Sequence, residues 1–145
     1  MTDDAGLAAW RAMLQAHASA LRAIDAELAR AATIPLTWYD VLLELRGADE
    51  GRLQMQELGR RVVLSRTRVS RLVDEMTAHG LVAKVRDEDD RRVVWAVITP
   101  DGVAALRRTA PLYLDGIERH FSAHLTDTEK SVVARALTKV SRPGG

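Results

Sequence analysis

The chain has 145 residues, of which 47% are hydrophobic and 28% charged, and its formal net charge is +1 at pH 7. This balance is typical of one globular domain and excludes a disordered or fibrous protein. The sequence contains no cysteine, which excludes disulfides, thiolate metal sites and a cysteine redox switch.

The sequence shows no targeting or membrane signal. Its start, MTDDAGLAAW, is acidic where a signal peptide would be basic, and no apolar run approaches the ~18 residues of a membrane span. We therefore expect a cytoplasmic protein without a membrane partner.

Charge is distributed unevenly along the chain. Residues 1–51 contain four basic and eight acidic side chains, whereas residues 58–71 contain five arginines and no carboxylate. Because clustered charges act together within roughly a Debye length of ~8 to 10 Å, this basic block indicates a polyanionic partner.

The first part of the chain predicts two helices. Apolar side chains recur at steps of three and four residues from Leu7 to Ala31, with a polar interruption at His17, which predicts a helix over 7–31. This helix is long enough to extend beyond a small domain and contact another subunit. Pro35 ends the region, and Thr37 is the predicted N-cap of a second helix.

A helix-turn-helix pattern follows. Residues 52–54 predict a short edge strand, and a short helix is predicted from Met55 to about Val62. Ser65 is the predicted cap of a helix over 66–79, which Gly80 and the apolar residue after it end. Two short helices joined by a three-residue turn form a helix-turn-helix unit.

The stretch RDEDDRRVVWAVIT, residues 86–99, joins a charged run to an apolar run. A charged run alone is usually a solvated loop, but here residues 81–86 and 93–98 predict two strands with the charged residues at the hairpin tip. In the second strand Val94, Ala96 and Ile98 are expected to be buried. Trp95 falls on the opposite face, where the sequence assigns it no role.

Two further helices complete the chain. Thr99, Pro100 and Asp101 supply a cap, a proline at the first helical position and a favourable charge for a helix in which Pro111 predicts a kink. The sequence TDTE, residues 126–129, predicts a capping box for a last helix that extends through Val140.

This order of elements is that of a winged helix-turn-helix, and VVLSRTRVSRLVDEMTAHGLVAKVRDEDDRRVVWAVITPDG resembles the core of the MarR (multiple antibiotic resistance regulator) family. Asp90, Arg92, Thr99 and Gly102 match the pattern that closes this core. The resemblance implies a mainly α fold with a small β-hairpin wing, in a single MarR-type domain over residues 1–145. The winged helix-turn-helix DNA-binding core is expected at 36–98, and long N- and C-terminal dimerisation helices are expected at 5–31 and 99–141.

The second helix of the helix-turn-helix carries the first set of candidate DNA-binding residues. An α-helix fits the ~12 Å major groove, and its first turns bring side chains to base edges and phosphates. For Arg71, an ion pair with Asp74 or Glu75 on the same helix is an equal alternative. The candidates are Ser65, Arg66, Thr67, Arg68, Ser70 and Arg71.

The hairpin tip carries the second set. The resemblance implies that the tip enters the minor groove beside this helix, where Asp90 forms a salt bridge with Arg92 and directs it into the groove. Arg86 and Arg91 are then available for phosphates. The remaining carboxylates, Asp87, Glu88 and Asp89, are expected to be solvated and without a role.

The terminal helices predict a homodimer. They cannot all cover the small DNA-binding core, so their apolar stripes are expected to be buried against a second copy of the chain. A twofold dimer presents two recognition helices ~34 to 36 Å apart, which predicts a pseudo-palindromic operator in double-stranded DNA.

The resemblance also implies a small effector, since family members commonly sense small aromatic or anionic compounds. The expected function is therefore a ligand-responsive transcriptional regulator, acting as a repressor. For Trp10 and Trp38 core packing is the stronger alternative, and for His17 it is a hydrogen bond in the dimer seam. The candidate effector-binding residues are Trp10, His17, Trp38, Tyr39 and Asp40.

Other functions have less support in the sequence. A metal-responsive regulator stays open as an alternative, because His120 and His124 have the spacing of a metal-binding pair on a helix. Further ligands would have to come from Asp40 and Glu44, so no metal or other cofactor is predicted. No phosphate-binding glycine loop or linked nucleophile motif indicates an enzyme. A winged-helix protein-interaction module without DNA binding stays open, although it would not need arginines on one face.

Overall fold

The computed structural model describes residues 1–62 and 68–142. Within these residues six helices and three strands form the mainly helical architecture with a small β wing that the sequence predicted. The elements are α1 (Asp4–Arg30), α2 (Leu36–Arg46), β1 (Arg52–Gln54), α3 (Met55–Arg61), α4 (Val69–Ala78), β2 (Val82–Arg86), β3 (Val94–Ile98), α5 (Pro100–His120) and α6 (Asp127–Ser141), with short 3-10 turns at Asp49–Gly51 and Ser122–His124.

The chain divides into two compact units. The first consists of Met1–Glu27 and Tyr113–Gly145, and the second of Leu28–Leu112. The second unit contains the whole predicted DNA-binding core, residues 36–98, and the first contains most of the predicted dimerisation helices.

The core of the second unit is built around α2. Val41, Leu42 and Leu45 are fully buried because their spacing places them on one face of the helix. This face contacts α3, α4 and β3. The residues that complete the core are likewise buried: Leu58, Val73, Met76, Val82 and Ala96.

The sheet is antiparallel, and β3 lies between β1 and β2. Ala96, at the centre of β3, pairs with Leu53 on one side and with Lys84 on the other. The β2–β3 hairpin is the predicted wing, and β1 confirms the short edge strand predicted over residues 52–54.

The predicted start of α2 was wrong by two residues. Thr37 is not the N-cap, because Pro35 takes that position with an extended backbone (φ −60°, ψ 153°). The Pro35 carbonyl accepts hydrogen bonds from the amides of Trp38 and Tyr39 at 3.0 and 3.1 Å. The fixed φ of proline therefore begins the helix without a side-chain cap.

The end of α4 agrees with the prediction. Gly80 adopts a φ of +76°, its amide donates to the Thr77 carbonyl, and the Leu81 amide donates to the Met76 carbonyl, both at 3.0 Å. This is the hydrogen-bond pattern of a Schellman motif. The predicted cap Ser65 and the predicted helical residues 66 and 67 lie outside the described residues.

Thr99 joins the end of α4 to the beginning of α5. Its hydroxyl donates to the Gly80 carbonyl at 2.6 Å and accepts from the Gly102 amide at 3.0 Å, so the predicted cap is confirmed. The α5 helix continues through Pro111 without interruption as far as His120.

In the first unit, α6 begins with the predicted capping box. The Thr126 hydroxyl accepts from the Glu129 amide at 3.1 Å, and the Glu129 carboxylate accepts from the Thr126 amide at 2.9 Å. No residue of α6, which is described throughout, is buried in the single chain. No helix of the described residues has both the length and the apolar character needed to cross a membrane.

Candidate nucleic-acid interface

The exposed face of α4 presents polar side chains. Its apolar residues Val69, Val73 and Met76 are buried, which turns Ser70 and Arg71 outward. Arg68 is also exposed and occupies the N-cap position of the helix. The other sequence candidates on this helix, Ser65, Arg66 and Thr67, lie outside the described residues.

Within the described residues of α4, Arg71 does not form the ion pair that the sequence left open as an alternative to DNA binding. Among the described residues Arg71 makes no ion pair with Asp74 or Glu75. Asp74 instead accepts a hydrogen bond from Lys84 of β2. Arg71 is therefore left exposed on the outer face of the helix.

At the tip of the wing, Asp90 and Arg92 form the pair that the family resemblance implied. Asp90 Oδ1 accepts from Arg92 Nε at 3.1 Å and from the Arg92 amide at 3.1 Å. Hydrogen bonds from the Arg92 side chain and backbone lower the pKa of Asp90 below its ordinary value. These contacts with Asp90 orient the Arg92 side chain, which is still 91% exposed and therefore accessible to a ligand.

The other two arginines of the wing are also exposed. Arg86, the last residue of β2, donates from Nη1 to the carbonyl of Arg91 at 2.8 Å. This bond spans the two sides of the tip and orients the Arg86 guanidinium along it.

A groove of about 600 Å³ lies between the wing and the helix-turn-helix. Ser70 of α4 and Arg92 of the wing both line it, together with Lys84. The structure thus brings candidates from the two separate sequence motifs to one concave surface.

The prediction that Asp87 has no role was wrong. Asp87 Oδ2 accepts hydrogen bonds from the amides of Asp89 and Asp90 at 3.1 and 3.0 Å, and its Oδ1 accepts from Trp95 Nε1 at 3.0 Å. These hydrogen bonds lower the pKa of Asp87 below its ordinary value, and the bond from Trp95 lowers it most. The charge run suggested only solvation, because the partners of Asp87 are created by the turn itself.

Sequence reasoning also missed the environment of Trp95. The guanidinium carbon of Arg52 lies 4.0 Å from the centre of the indole ring, and Arg52 pairs with Glu50 at 3.0 Å. Arg52 pairs with Val97 across the sheet, which makes Trp95 its diagonal neighbour on the same face. A cationic residue in a predicted edge strand was the one available signal for this contact.

The candidate effector residues have different environments in the two units. In the second unit Trp38 lies edge-on to His79 with ring centres 5.0 Å apart, and Tyr39 is buried. Asp40 is half-buried. In the first unit His17 is exposed and Trp10 is 57% exposed, so the alternative that Trp10 packs in the core of a single chain is wrong.

The structure contradicts the helical spacing of the two histidines. The α5 helix ends at His120, and Phe121 has non-helical angles (φ −139°, ψ −70°), so His124 belongs to a separate 3-10 turn. His120 Nε2 bonds to Glu27 at 2.6 Å, and His124 Nε2 bonds to the carbonyl of Arg119 at 3.1 Å. No group of three or more potential metal ligands occurs among the described residues.

A recognition-type helix with an exposed polar face, beside a hairpin with an oriented arginine, defines a winged helix-turn-helix of the DNA-binding class. Residues 32–93 match the profile described as MarR family. This match covers less than half of the chain, and with the relatives below it shows that the chain is similar to MarR family winged-helix proteins.

The relatives named here are transcriptional regulators, in agreement with the expectation of a non-enzymatic protein. The chain is 26% identical over 83 residues to the HTH-type transcriptional regulator YkoM of Bacillus subtilis, covering 57% of this chain. It is 26% identical over 114 residues to the transcriptional repressor MprA of Escherichia coli, covering 79% of this chain. These matches span 54% of YkoM and 64% of MprA, so both relatives extend well beyond the matched regions.

Among solved structures, the chain is similar to Sco3205, a MarR family transcriptional regulator from Streptomyces coelicolor crystallised in complex with DNA. The two are 26% identical, with a TM-score of 0.87 over 97% of this chain and 88% of Sco3205.

Proposed function

We propose that this chain is a transcriptional regulator that binds double-stranded DNA. The observation that carries the proposal is the groove between α4 and the wing, which is lined by Ser70 and Arg92. Residues from two elements that approach adjacent grooves of a duplex in this fold class thus share one surface.

The charges around this groove suit a phosphate backbone. Arg68, Arg71 and Arg91 are exposed, and Arg92 is 91% exposed despite its contact with Asp90. Guanidinium groups donate in a fixed fork that matches phosphate oxygens and the O6 and N7 atoms of guanine. We assign Arg68, Ser70 and Arg71 to the major groove, Arg92 to the minor groove, and Arg86 and Arg91 to phosphates. The match of residues 32–93 to the MarR family profile and the similarity to DNA-bound Sco3205 support this assignment.

The active form is proposed to be a homodimer assembled through the first unit. In the single chain several large apolar side chains of this unit are left exposed, although burial of such surface is worth roughly 25 cal/mol per Å². A twofold dimer would bury them and present two α4 helices to successive turns of one face of the duplex. These side chains are Leu7, Trp10, Leu14, Leu114, Val132, Leu137 and Val140.

Repression relieved by a small effector is the proposed mode of regulation. The relative MprA is named a transcriptional repressor. The half-buried Trp38 and Asp40 offer aromatic surface and one carboxylate in the second unit, whereas Tyr39, the third candidate, is buried in the core of the single chain. Trp10 and His17 are the candidates in the first unit. A planar aromatic compound is the class of effector that fits such side chains.

Selection of binding sites from random duplexes at fixed salt tests the proposal. The consensus is expected to contain two inverted half-sites with centres ~10 base pairs apart, and binding is expected to weaken as salt concentration rises. Repeating the selection with phenolic ligands tests the effector, which should reduce the recovered DNA. If no double-stranded DNA binds in a salt-sensitive manner, the proposed function is wrong.

A further inference from the structure

Asp87 and Trp95 lie at the base of the wing tip, behind the arginine that is directed outward. We propose that they are positioning residues for DNA recognition: Trp95 orients the Asp87 carboxylate, and this carboxylate fixes the backbone that directs Arg92. The inference deepens the proposed function and rests on it.

The first step is the fixing of the tip backbone by Asp87. Its two carboxylate oxygens accept three hydrogen bonds, from the amides of Asp89 and Asp90 and from the indole of Trp95. The Asp87 amide in turn donates to the Val93 carbonyl at 2.9 Å, which closes the tip. Charge-assisted hydrogen bonds of this kind are stronger than neutral ones, so the carboxylate fixes the turn more firmly than an amide or a water would.

The second step connects this turn to Arg92. Asp90 receives support from Asp87 through its amide, and its own carboxylate contacts Arg92 at both the amide and the side chain. The orientation of the Arg92 guanidinium therefore depends on where the backbone of Asp90 lies. A continuous series of contacts leads from Trp95 through Asp87 and Asp90 to Arg92.

The third step is the anchoring of Trp95 itself. It belongs to the middle strand, paired with Gln54 on one side and Val85 on the other. Arg52 covers its ring at 4.0 Å, a cation–π geometry that restricts the rotation of the indole. The indole N–H consequently points at Asp87 from a rigid position.

The direction in which DNA affinity changes when a carboxylate is removed distinguishes a positioning carboxylate from a passive one. A carboxylate beside a phosphate backbone repels it, so removing a passive carboxylate should leave DNA binding unchanged or strengthen it. Removing a positioning carboxylate should weaken binding, despite the loss of a negative charge. Glu88 is the matched control: it is exposed on the same tip, and its side chain forms no hydrogen bond with any described residue.

The decisive experiment measures the affinity of the full-length protein for its selected duplex at fixed salt. Asp87→Ala is expected to reduce affinity about tenfold, the scale of losing one directed arginine contact, whereas Glu88→Ala is expected to leave affinity unchanged or raise it. If Asp87→Ala binds as well as Glu88→Ala, the positioning role is overturned.

Coupling to Arg92 tests whether Asp87 acts through that residue. In an Arg92→Ala background the further substitution Asp87→Ala is expected to reduce affinity less than about twofold, because the group that it positions is already missing. An equal loss in both backgrounds would overturn the series of contacts. Trp95→Phe retains a ring beneath Arg52 and removes only the indole donor, so it should reproduce part of the Asp87→Ala loss without unfolding the wing.

Spectra of the free protein, recorded without DNA, test the role of Asp87 separately from the proposed DNA binding. The indole ¹⁵N–¹H resonance of Trp95, identified by its absence in Trp95→Phe, should move toward a solvent-exposed position in Asp87→Ala, and the amides of Asp89 and Asp90 should exchange faster with solvent. An unchanged indole resonance would refute the role of Asp87 even if the protein binds DNA. If the wild-type protein binds no DNA, the proposed function falls, while these spectra still decide whether Asp87 fixes the tip.

Discussion

Glu27, near the end of α1, accepts two parallel hydrogen bonds from Arg119, near the end of α5. Arg119 Nη1 donates to Oε1 at 2.9 Å, and Nη2 donates to Oε2 at 2.8 Å. His120 Nε2 also donates to Oε1 at 2.6 Å. This bidentate geometry links α1 to α5 within the first unit. Glu27 thereby contacts the side chains of two consecutive residues, Arg119 and His120.

This contact predicts a pH dependence of stability. Hydrogen bonds from His120, and then from Arg119, lower the pKa of Glu27 below its ordinary value of 4.5. A lowered folded-state pKa means that Glu27 stabilises the fold fully above the unfolded value, and that this stabilisation is lost as the pH falls through the folded value. Glu27→Gln should therefore unfold at lower urea concentration than wild type at pH 7, and this difference should narrow below about pH 4.5.

Urea denaturation followed by circular dichroism at several pH values measures this difference. Glu75→Gln is a suitable control, because Glu75 is exposed on α4 and its side chain contacts no partner among the described residues. A Glu27→Gln difference that stays constant from pH 7 to pH 3 would contradict the linkage.

The start of α5 leaves no room for a side chain at Gly102. A Cβ at this position would overlap the carbonyl oxygen of Leu81 and lie 2.9 Å from Ile98 Cγ1. The Leu81 carbonyl also accepts from the Thr99 amide at 3.1 Å, so it cannot move freely. Gly102→Ala should therefore lower the free energy of unfolding by ~1 to 3 kcal/mol.

Gly59 provides the matched control for this substitution. A Cβ at Gly59 would meet no atom of the described residues within 4 Å, and the residue lies in the interior of α3. Gly59→Ala is expected to raise the free energy of unfolding by up to ~1 kcal/mol through helix propensity. If the two variants change the urea midpoint in the same direction, steric crowding at Gly102 is not the cause.

Features set by neighbouring residues could be predicted from the sequence. The capping box at Thr126, the glycine that ends α4 and the cap at Thr99 each depend on residues a few positions apart, and all three are present. Of the three β3 residues that strand alternation predicted to be buried, Ala96 is buried, whereas Val94 and Ile98 are half-buried. The Asp90 and Arg92 pair is likewise local, and its presence was implied by the family resemblance.

Other features could not be predicted from the sequence, some because they depend on long-range pairing and some because no local pattern marks the turn or helix end that creates them. The contact between Arg52 and Trp95 depends on the register of β1 against β3, which no local pattern specifies. Asp87 was misread because a run of charges gives no sign of a turn that directs two amides at one of them. The helical spacing predicted for His120 and His124 was wrong because α5 ends at His120, and no glycine or proline marks that end in the sequence.

The exposed apolar face of the first unit predicts a dimer that one charge should disrupt. Leu14 is 45% exposed on α1, within the stripe proposed for the interface. Leu14→Glu should produce monomers, because burying an unpaired carboxylate costs more than the apolar contact contributes. Light scattering measures the mass directly. Leu43→Glu, equally exposed at 46% but on α2 of the second unit, should stay dimeric. If Leu14→Glu also stays dimeric, the stripe on α1 is not the interface.

Arg92 is the residue whose loss should affect DNA binding and nothing else. Its side chain is 91% exposed and contacts only Asp90 among the described residues, so neither the core nor the first unit depends on it. Arg92→Ala should weaken binding to the selected duplex by ~1 to 3 kcal/mol in a gel shift at fixed salt. The mass in light scattering and the urea midpoint should equal those of wild type.

Loss of a positive charge alone would also weaken binding to a polyanion, and Arg135→Ala separates this general effect from a specific contact. Arg135 is exposed on α6, in the first unit, and its removal changes the net charge by the same amount. Because the first unit is assigned to dimerisation and not to DNA contact, Arg135→Ala should bind nearly as wild type does. Equal weakening by both variants would mean that the wing arginine contributes only net charge, and the contact proposed for it in the groove would be wrong.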